Sequence, residues 1–208
     1  MNYNFISIEG NIGVGKTTLA VMLAEKLNSK LVLEKFIENP FLPKFYQNNK
    51  KYAFPLEMSF LSERYSQFNK EVFKQNLFNR STISDYYVTK SLIFSKINLD
   101  PDEYLLTQRL FDIMYPQLPK PNLMVYLHAD VKRLQYQINI RGREYEQHIS
   151  DSYLLQIQEG YLNYLKHQQY FPVLVIDITN MDFVSNSNDF EKIQLMLDHK
   201  YSQGVHYL

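Results

Sequence analysis

The residues with the clearest chemical meaning lie near the N-terminus. Gly10-Asn11-Ile12-Gly13-Val14-Gly15-Lys16-Thr17 fits the spacing G-x-x-x-x-G-K-[ST]. The glycines let backbone N–H groups wrap a phosphate, and the start of a helix adds partial positive charge. Lys16 would reach the outer phosphates, and the Thr17 hydroxyl would ligate Mg²⁺. Gly10, Asn11, Ile12, Gly13, Val14, Gly15, Lys16, Thr17 and Thr18 therefore make up the candidate phosphate site. The four fixed positions match by chance in about one chain of this length in a hundred. A Gly-rich turn without a ligand is the plain alternative.

Three further groups follow. Glu34 ends a short apolar run, where it could take a proton from an attacking hydroxyl or be an ordinary surface carboxylate. Asp85 ends another and is a candidate Mg²⁺ partner, directly or through water; it is also placed to cap a following helix. Arg141-Gly142-Arg143 could fold over a polyphosphate as a mobile lid spanning 141–147, or be a solvated helix end.

These groups need elements to hold them. Residues 3–8, 31–33, 82–84, 123–127 and 173–176 read as short apolar strands. Residues 16–27, 53–75, 86–97, 102–117, 131–140, 151–167 and 188–200 read as helices, with Pro55 tolerated in a first turn. Continuous apolar strands alternating with helices predict an α/β fold with a parallel, five-stranded sheet covered on both faces. Ligands in such folds bind beyond the carboxyl ends of the strands, where Gly10, Glu34 and Asp85 sit. No linker or repeat divides the chain, so residues 1–208 read as one domain.

Composition narrows the function classes. The 208 residues carry 22 Lys plus Arg against 22 Asp plus Glu, without the basic excess usual in duplex-binding proteins. No apolar run reaches the roughly 18 residues of a membrane span. The N-terminus lacks a basic segment followed by an apolar one, so no secretory signal is expected. Cys is absent, which excludes thiol catalysis and Cys-ligated zinc and fits a reducing, cytoplasmic setting. The 17 Tyr and 14 Phe suit a core or a helix–helix interface. Phe60, Tyr65, Tyr161 and Tyr164 read as core. No Asn-Lys-x-Asp segment follows a strand, and no strand ends in two acidic residues. That disfavours a GTPase and a motor ATPase and leaves a small-molecule kinase.

From end to end the chain resembles the bacterial deoxynucleoside kinases. The match includes IEGNIGVGKTTLA at 8–20, ENPFLPKFY at 38–46, LEMSFLSERY at 56–65 and SDYYVTKSLIFSK at 84–96. It continues with LPKPNLMVYLHA at 118–129, RGREYEQ at 141–147 and DFVSNSNDFEKI at 182–193. The resemblance implies transfer of the ATP γ-phosphoryl group to the 5′-hydroxyl of a deoxynucleoside, with Mg²⁺, in nucleoside salvage. It implies Glu34 as general base, Tyr46 and Glu146 on the sugar 3′-hydroxyl, and Arg141 and Arg143 as lid arginines. Asp85 matches the acidic residue that opens the family's Asp/Glu-Arg-Ser motif. Glu57 and Arg64 match positions near the base. It further implies a homodimer built through long helices, with small-molecule partners and neither nucleic acid nor membrane.

The chain departs from the family pattern in three places. Tyr86 and Tyr87 stand where many relatives have Arg-Ser, and Lys90, one turn on, is a candidate for the missing charge. A rival register on Asn79-Arg80-Ser81 would place a polar turn where the strand should end. Gln137 stands where many relatives have another lid Arg, which weakens the expected grip on the donor nucleotide. Glu57 replaces the usual Gln; a carboxylate only accepts hydrogen bonds, which suits guanine N1–H and N2–H₂. Arg64 would then donate to guanine O6 or N7. Deoxyguanosine is the expected acceptor, then deoxyadenosine, then deoxycytidine. A nucleoside monophosphate kinase and a non-catalytic nucleotide-binding module are the alternatives. The first would accept dGMP or dTMP, and the second would bind nucleotide without phosphoryl transfer.

Overall fold

In a computed structural model of the protein, residues 3–35, 39–72 and 81–208 are described. Glu38 of the 38–46 match, residues 73–75 of the expected long helix and the rival Asn79-Arg80 register lie outside them.

The sheet is parallel throughout. Its strands are β1 (Phe5–Gly10), β2 (Lys30–Val32), β3 (Thr82–Ser84), β4 (Leu123–His128), β5 (Pro172–Asp177) and β6 (Gly204–Tyr207). They lie in the order β2-β3-β1-β4-β5-β6, so the order reverses at β1. Six strands correct the expected five. The added β6, Gly-Val-His-Tyr, has no apolar run and pairs only at the sheet edge with β5.

Period-two alternation sorts each strand into two cores. Ile6 and Ile8 of β1, Val125 of β4 and Ile176 of β5 enter one core with Leu19 and Leu23 of α1 (Lys16–Leu27). Leu134 and Ile138 of α6 (Val131–Arg141) and Ile193 of α8 (Ser187–Asp198) complete that face. Phe5, Tyr126 and Val175 point the other way. They meet Leu61 of α3 (Asn49–Gln67), Ile93 of α4 (Lys90–Asn98), Phe111 of α5 (Pro101–Met114) and Tyr161 of α7 (Asp151–Lys166). The same alternation sends Glu9, next to Gly10, into this second core, where it is buried.

Local chemistry explains several boundaries. Asn48 caps α3 by accepting from the Lys51 N–H, so the helix begins at Asn49 and Pro55 sits inside it, not in its first turn. Beyond Gln67 the α-helix widens into a π turn over Phe68–Val72. The expected helix over 86–97 starts only at Lys90. Residues 86–89 form a buried turn because the Tyr87 N–H donates to Glu9 at 2.5 Å. Asp85 therefore caps no helix; its carboxylate is engaged elsewhere. A short α2 (Leu42–Gln47), with Pro43 in its first turn, adds a helix to those expected.

Candidate active site

The phosphate loop joins β1 to α1. Gly10 has φ +147°, and a Cβ there would come within 2.6 Å of the Leu127 carbonyl oxygen. Gly13 has φ +82°, and a Cβ would meet the Leu134 carbonyl oxygen at 2.8 Å. Only glycine fits both places. Asn11 anchors the loop by donating to the Leu154 carbonyl at 2.8 Å. Lys16 Nζ donates to the carbonyls of Gly10 at 3.0 Å and Asn11 at 2.7 Å. Burial and repulsion from Lys90 push its ammonium down to about 7. An arriving phosphate would restore the charge.

An open cleft of about 740 Å³ runs from Lys16 and Thr17 across the strand ends. At its centre Glu34 is clamped by two cations. Arg64 donates to Oε1 through Nε at 2.8 Å and Nη2 at 2.6 Å, and Lys90 Nζ donates to Oε2 at 2.6 Å. Burial alone would raise the Glu34 pKa; Lys90 and Arg64 outweigh it and bring it down to about 2. The Glu34 N–H donates to Asp85 Oδ1 at 2.8 Å, and Thr17 Oγ1 donates to Asp85 Oδ2 at 2.5 Å. One carboxylate thus couples the loop to the Glu34 segment. Burial outweighs the Thr17 hydrogen bond and holds the Asp85 pKa above its ordinary value.

Thr17 and Asp85 supply hard oxygen donors side by side. Among the described residues no three His, Asp or Glu side chains gather at one point. Such a pair suits Mg²⁺, which takes one or two protein oxygens and fills its shell with phosphate and water.

Tyr86 and Tyr87 stay out of the cleft. Both are fully buried, packed edge-on against Phe68, and Tyr86 OH donates to Gln67 at 2.7 Å. They are core residues, and the cation in their neighbourhood is Lys90. Its ammonium also lies 5.5 Å over the Phe94 ring.

Farther along the cleft Glu57 is buried beside α4. It accepts from Asn98 Nδ2 at 2.7 Å and, more weakly, from Ser95 Oγ at 3.5 Å. Burial raises its pKa to about 7. Arg64 lies over the Phe60 ring at 4.7 Å and donates Nη1 to Ser91 Oγ at 2.8 Å. Three of its bonds therefore go to Glu34 and Ser91.

The basic bend closes the cleft. Arg141 ends α6, and Gly142 follows with φ +67°. Arg141 and Arg143 both bond to Glu146, Arg143 at 3.1 Å. Tyr145 stacks on Tyr46 of α2 with ring centroids 5.8 Å apart. Tyr46, Arg141, Arg143 and Glu146 all line the same cleft. A second cavity of about 420 Å³ lies behind the loop, bounded by Gly13, Gly15, Thr18, Arg133, Gln137 and Phe183.

The sequence-predicted site residues thus converge, those of Gly10–Thr18 along the loop and the rest in one cleft. Sequence reasoning does not identify Asn98, Tyr153, Ser91 or Glu9. Glu9 is hidden in an apolar strand, though a carboxylate in such a strand is itself a signal. The other three are ordinary polar residues on helices, and their sequence neighbours do not distinguish them.

A parallel sheet whose order reverses beside a phosphate loop, facing a cleft of clamped carboxylates, defines a P-loop phosphotransferase. The chain belongs to the deoxynucleoside kinase family, whose pattern (Deoxynucleoside kinase) matches residues 6–199. Enzymes of this kind transfer a phosphoryl group from ATP to a deoxynucleoside, and this is the reaction of the protein. The chain is 38% identical over 193 residues to a deoxyguanosine kinase of Bacillus subtilis (strain 168), covering 91% of this chain and 93% of that one. It is 31% identical to the deoxyadenosine/deoxycytidine kinase of the same organism, covering 91% and 89%. The deoxyadenosine kinase structure from M. mycoides with dCMP and dCDP bound shares the fold, with TM-score 0.80 and 24% identity over 93% of this chain and 98% of that one.

Proposed function

We propose that the acceptor is a purine deoxynucleoside, deoxyguanosine before deoxyadenosine, phosphorylated on its 5′-hydroxyl in nucleoside salvage. The observation that carries transfer to a hydroxyl is the Glu34 carboxylate, fixed between Arg64 and Lys90 in the cleft that begins at the phosphate loop, and the base preference rests on buried Glu57 farther along the same cleft.

In this reading the backbone N–H groups from Gly10 to Thr18 and the Lys16 ammonium hold the donor phosphates. Thr17 and Asp85 hold Mg²⁺, which when bound neutralises charge on the phosphates. Tyr46 and Glu146 hold the sugar 3′-hydroxyl. Glu34 orients the 5′-hydroxyl and accepts its proton. A carboxylate with a pKa near 2 is a weak base. It suffices because the transition state is loose, so the proton leaves late, when the oxygen is already bonding to phosphorus. Lys90 takes over the charge of the absent motif arginine. Arg141 and Arg143 act as a lid over 141–147, exchanging Glu146 for phosphate as the group transfers.

Glu57 reads the base edge. Ionised, it accepts from guanine N1–H and N2–H₂, and further Arg64 N–H groups reach O6 or N7. The 38% identical relative is named a deoxyguanosine kinase, which agrees. We also propose that the chain is one domain, works as a homodimer in the cytoplasm and binds no nucleic acid. Among the described residues no helix is long and apolar enough to cross a membrane.

The deciding experiment is an ADP-release assay with Mg²⁺-ATP and each of the four deoxynucleosides, with their monophosphates in parallel. Turnover highest with deoxyguanosine is expected. Preference for another nucleoside refutes the base reading, and preference for a monophosphate refutes the acceptor class.

A further inference from the structure

Glu57 has a partner on each side, and one of them is itself held. Asn98, the last residue of α4, donates Nδ2 to Glu57 Oε1 at 2.7 Å. Its other carboxamide atom, Oδ1, accepts from Tyr153 OH of α7 at 3.0 Å. All three side chains line the cleft.

We propose that Asn98, locked by Tyr153, is a specificity-determining positioning residue: it keeps Glu57 an acceptor-only reader of the base edge and thereby favours guanine over adenine. The inference rests on the reading of Glu57 as the base-edge residue.

Hydrogen-bond direction at Asn98 bears on the charge of Glu57. A tyrosine hydroxyl has one proton, and burial raises the Tyr153 pKa, so that proton stays on through the working range. With the proton spent on Asn98 Oδ1, the Asn98 carbonyl faces Tyr153 and its NH₂ faces Glu57. A flipped carboxamide would set a carbonyl against Glu57, which is tolerable only if Glu57 carries a proton. An N–H donor at Oε1 stabilises the carboxylate more than the neutral acid, so the lock holds Glu57 toward its ionised form. Ser95 Oγ adds a second, weaker donor from the same helix.

The balance is close enough for one hydrogen bond to matter. Burial drives Glu57 toward the neutral acid, and the Asn98 bond opposes it, with Arg64 from its own helix and Lys90 from α4 acting in the same direction. The result lies at about 7. Neutral Glu57 would offer an O–H donor and a carbonyl acceptor, the pair that suits adenine N1 and N6–H₂. Ionised Glu57 offers acceptors alone, which suits guanine. The group that holds the charge on Glu57 therefore sets the choice of base.

The test measures kcat/KM for deoxyguanosine and deoxyadenosine between about pH 6 and pH 9. The proteins are wild type, Glu57→Gln, Asn98→Leu and Tyr153→Phe, each checked by thermal melting. Asn98→Leu is expected to lower the deoxyguanosine-to-deoxyadenosine ratio about tenfold at neutral pH. It should also move the rise of that ratio to higher pH. Tyr153→Phe should do the same to a smaller extent, and Glu57→Gln should flatten the pH dependence at a low ratio. If Glu57→Gln leaves the ratio unchanged, the base-edge reading itself falls. If Glu57→Gln shifts the ratio but both other variants keep the wild-type ratio and pH profile, the role of Asn98 is overturned alone. Equal losses on both nucleosides in Asn98→Leu and Tyr153→Phe overturn it too.

Discussion

The two halves of the cleft are built on opposite principles. The donor half works through backbone. Gly10 and Gly13 let the loop close against the carbonyls of Leu127 and Leu134, and its positive potential comes from N–H groups and one lysine. The acceptor half works through buried side chains. Glu34, Arg64, Lys90 and Glu57 are all buried or nearly so, and each ion is held by another group. Backbone sites tolerate exchange of side chains outside the glycines. A buried ion cluster does not, because removing one partner leaves the other uncompensated. Of the departures from the family pattern, Glu57 and the Tyr86-Tyr87 pair with Lys90 fall in or beside the acceptor half and Gln137 falls in the donor half; the proposed base preference rests on the acceptor half.

The largest effect follows from this contrast. Glu34→Gln removes the charge that two cations share while leaving the phosphate loop intact. We expect kcat to fall by about 10²- to 10⁴-fold with the KM for ATP changed by less than about threefold. Steady-state kinetics with deoxyguanosine and ATP varied separately check this. Equal damage to turnover and to ATP affinity would show that the two halves are not separable. Lys90→Met in the same assay should reproduce a smaller share of the turnover loss, and Lys90→Arg should recover part of it.

A smaller effect concerns stability. The Glu57 pKa is raised from 4.5 to about 7 in the folded protein, so the fold binds its proton more tightly than the unfolded chain does. Its contribution is fully present below about pH 4.5 and is lost as pH rises through about 7. Glu57→Gln should gain stability relative to wild type across that window. The gain is at most about 3.5 kcal/mol, because each tenfold difference in proton affinity between the folded and unfolded chain is worth about 1.36 kcal/mol. Denaturant melts of both proteins at about pH 4.5 and about pH 8 measure the difference. A difference that does not change between the two pH values would mean that Glu57 keeps its ordinary pKa. That would remove the electrostatic tension assigned to the acceptor half.

The same division explains what the sequence makes legible. The phosphate loop is local: its glycines, Lys16 and Thr17 lie in one unbroken stretch with Thr18, and the spacing carries the geometry. Glu34, Asp85, Arg141 and Arg143 are legible because they stand at strand or helix ends, where a parallel sheet places its ligands. Lys90 is visible only as one turn beyond an unusual Tyr pair. What places it on Glu34 is the turn over 86–89, fixed by Glu9 from another strand. Asn98 and Tyr153 are 55 residues apart in sequence and meet only because α4 packs on α7. No period or motif encodes that contact. Strand β6 escapes notice for a related reason: an edge strand needs no apolar run, since one of its neighbours is solvent.

The smallest expected effect lies in the donor half. Gln137 and Arg133 line the cavity behind the loop, next to Gly13, Thr18 and Phe183. Gln137 presents neutral donors and acceptors where many members of the family carry a cation. Gln137→Arg adds one positive charge at a partly solvated position, beside Arg133 and close to the loop that receives phosphate. Repulsion from Arg133 takes back some of the gain, and solvent screens the rest. The net change should therefore be a two- to fivefold lower KM for ATP, equivalent to about 0.4 to 1 kcal/mol. The KM for deoxyguanosine and the ratio between bases should stay as in wild type, because Gln137 faces the cavity behind the loop rather than the acceptor cleft. Raising the salt concentration should erase most of the gain in ATP affinity, which separates a charge effect from a packing effect. A shift in base preference in this variant would break the division between the halves, because a donor-side charge would then be acting on Glu57.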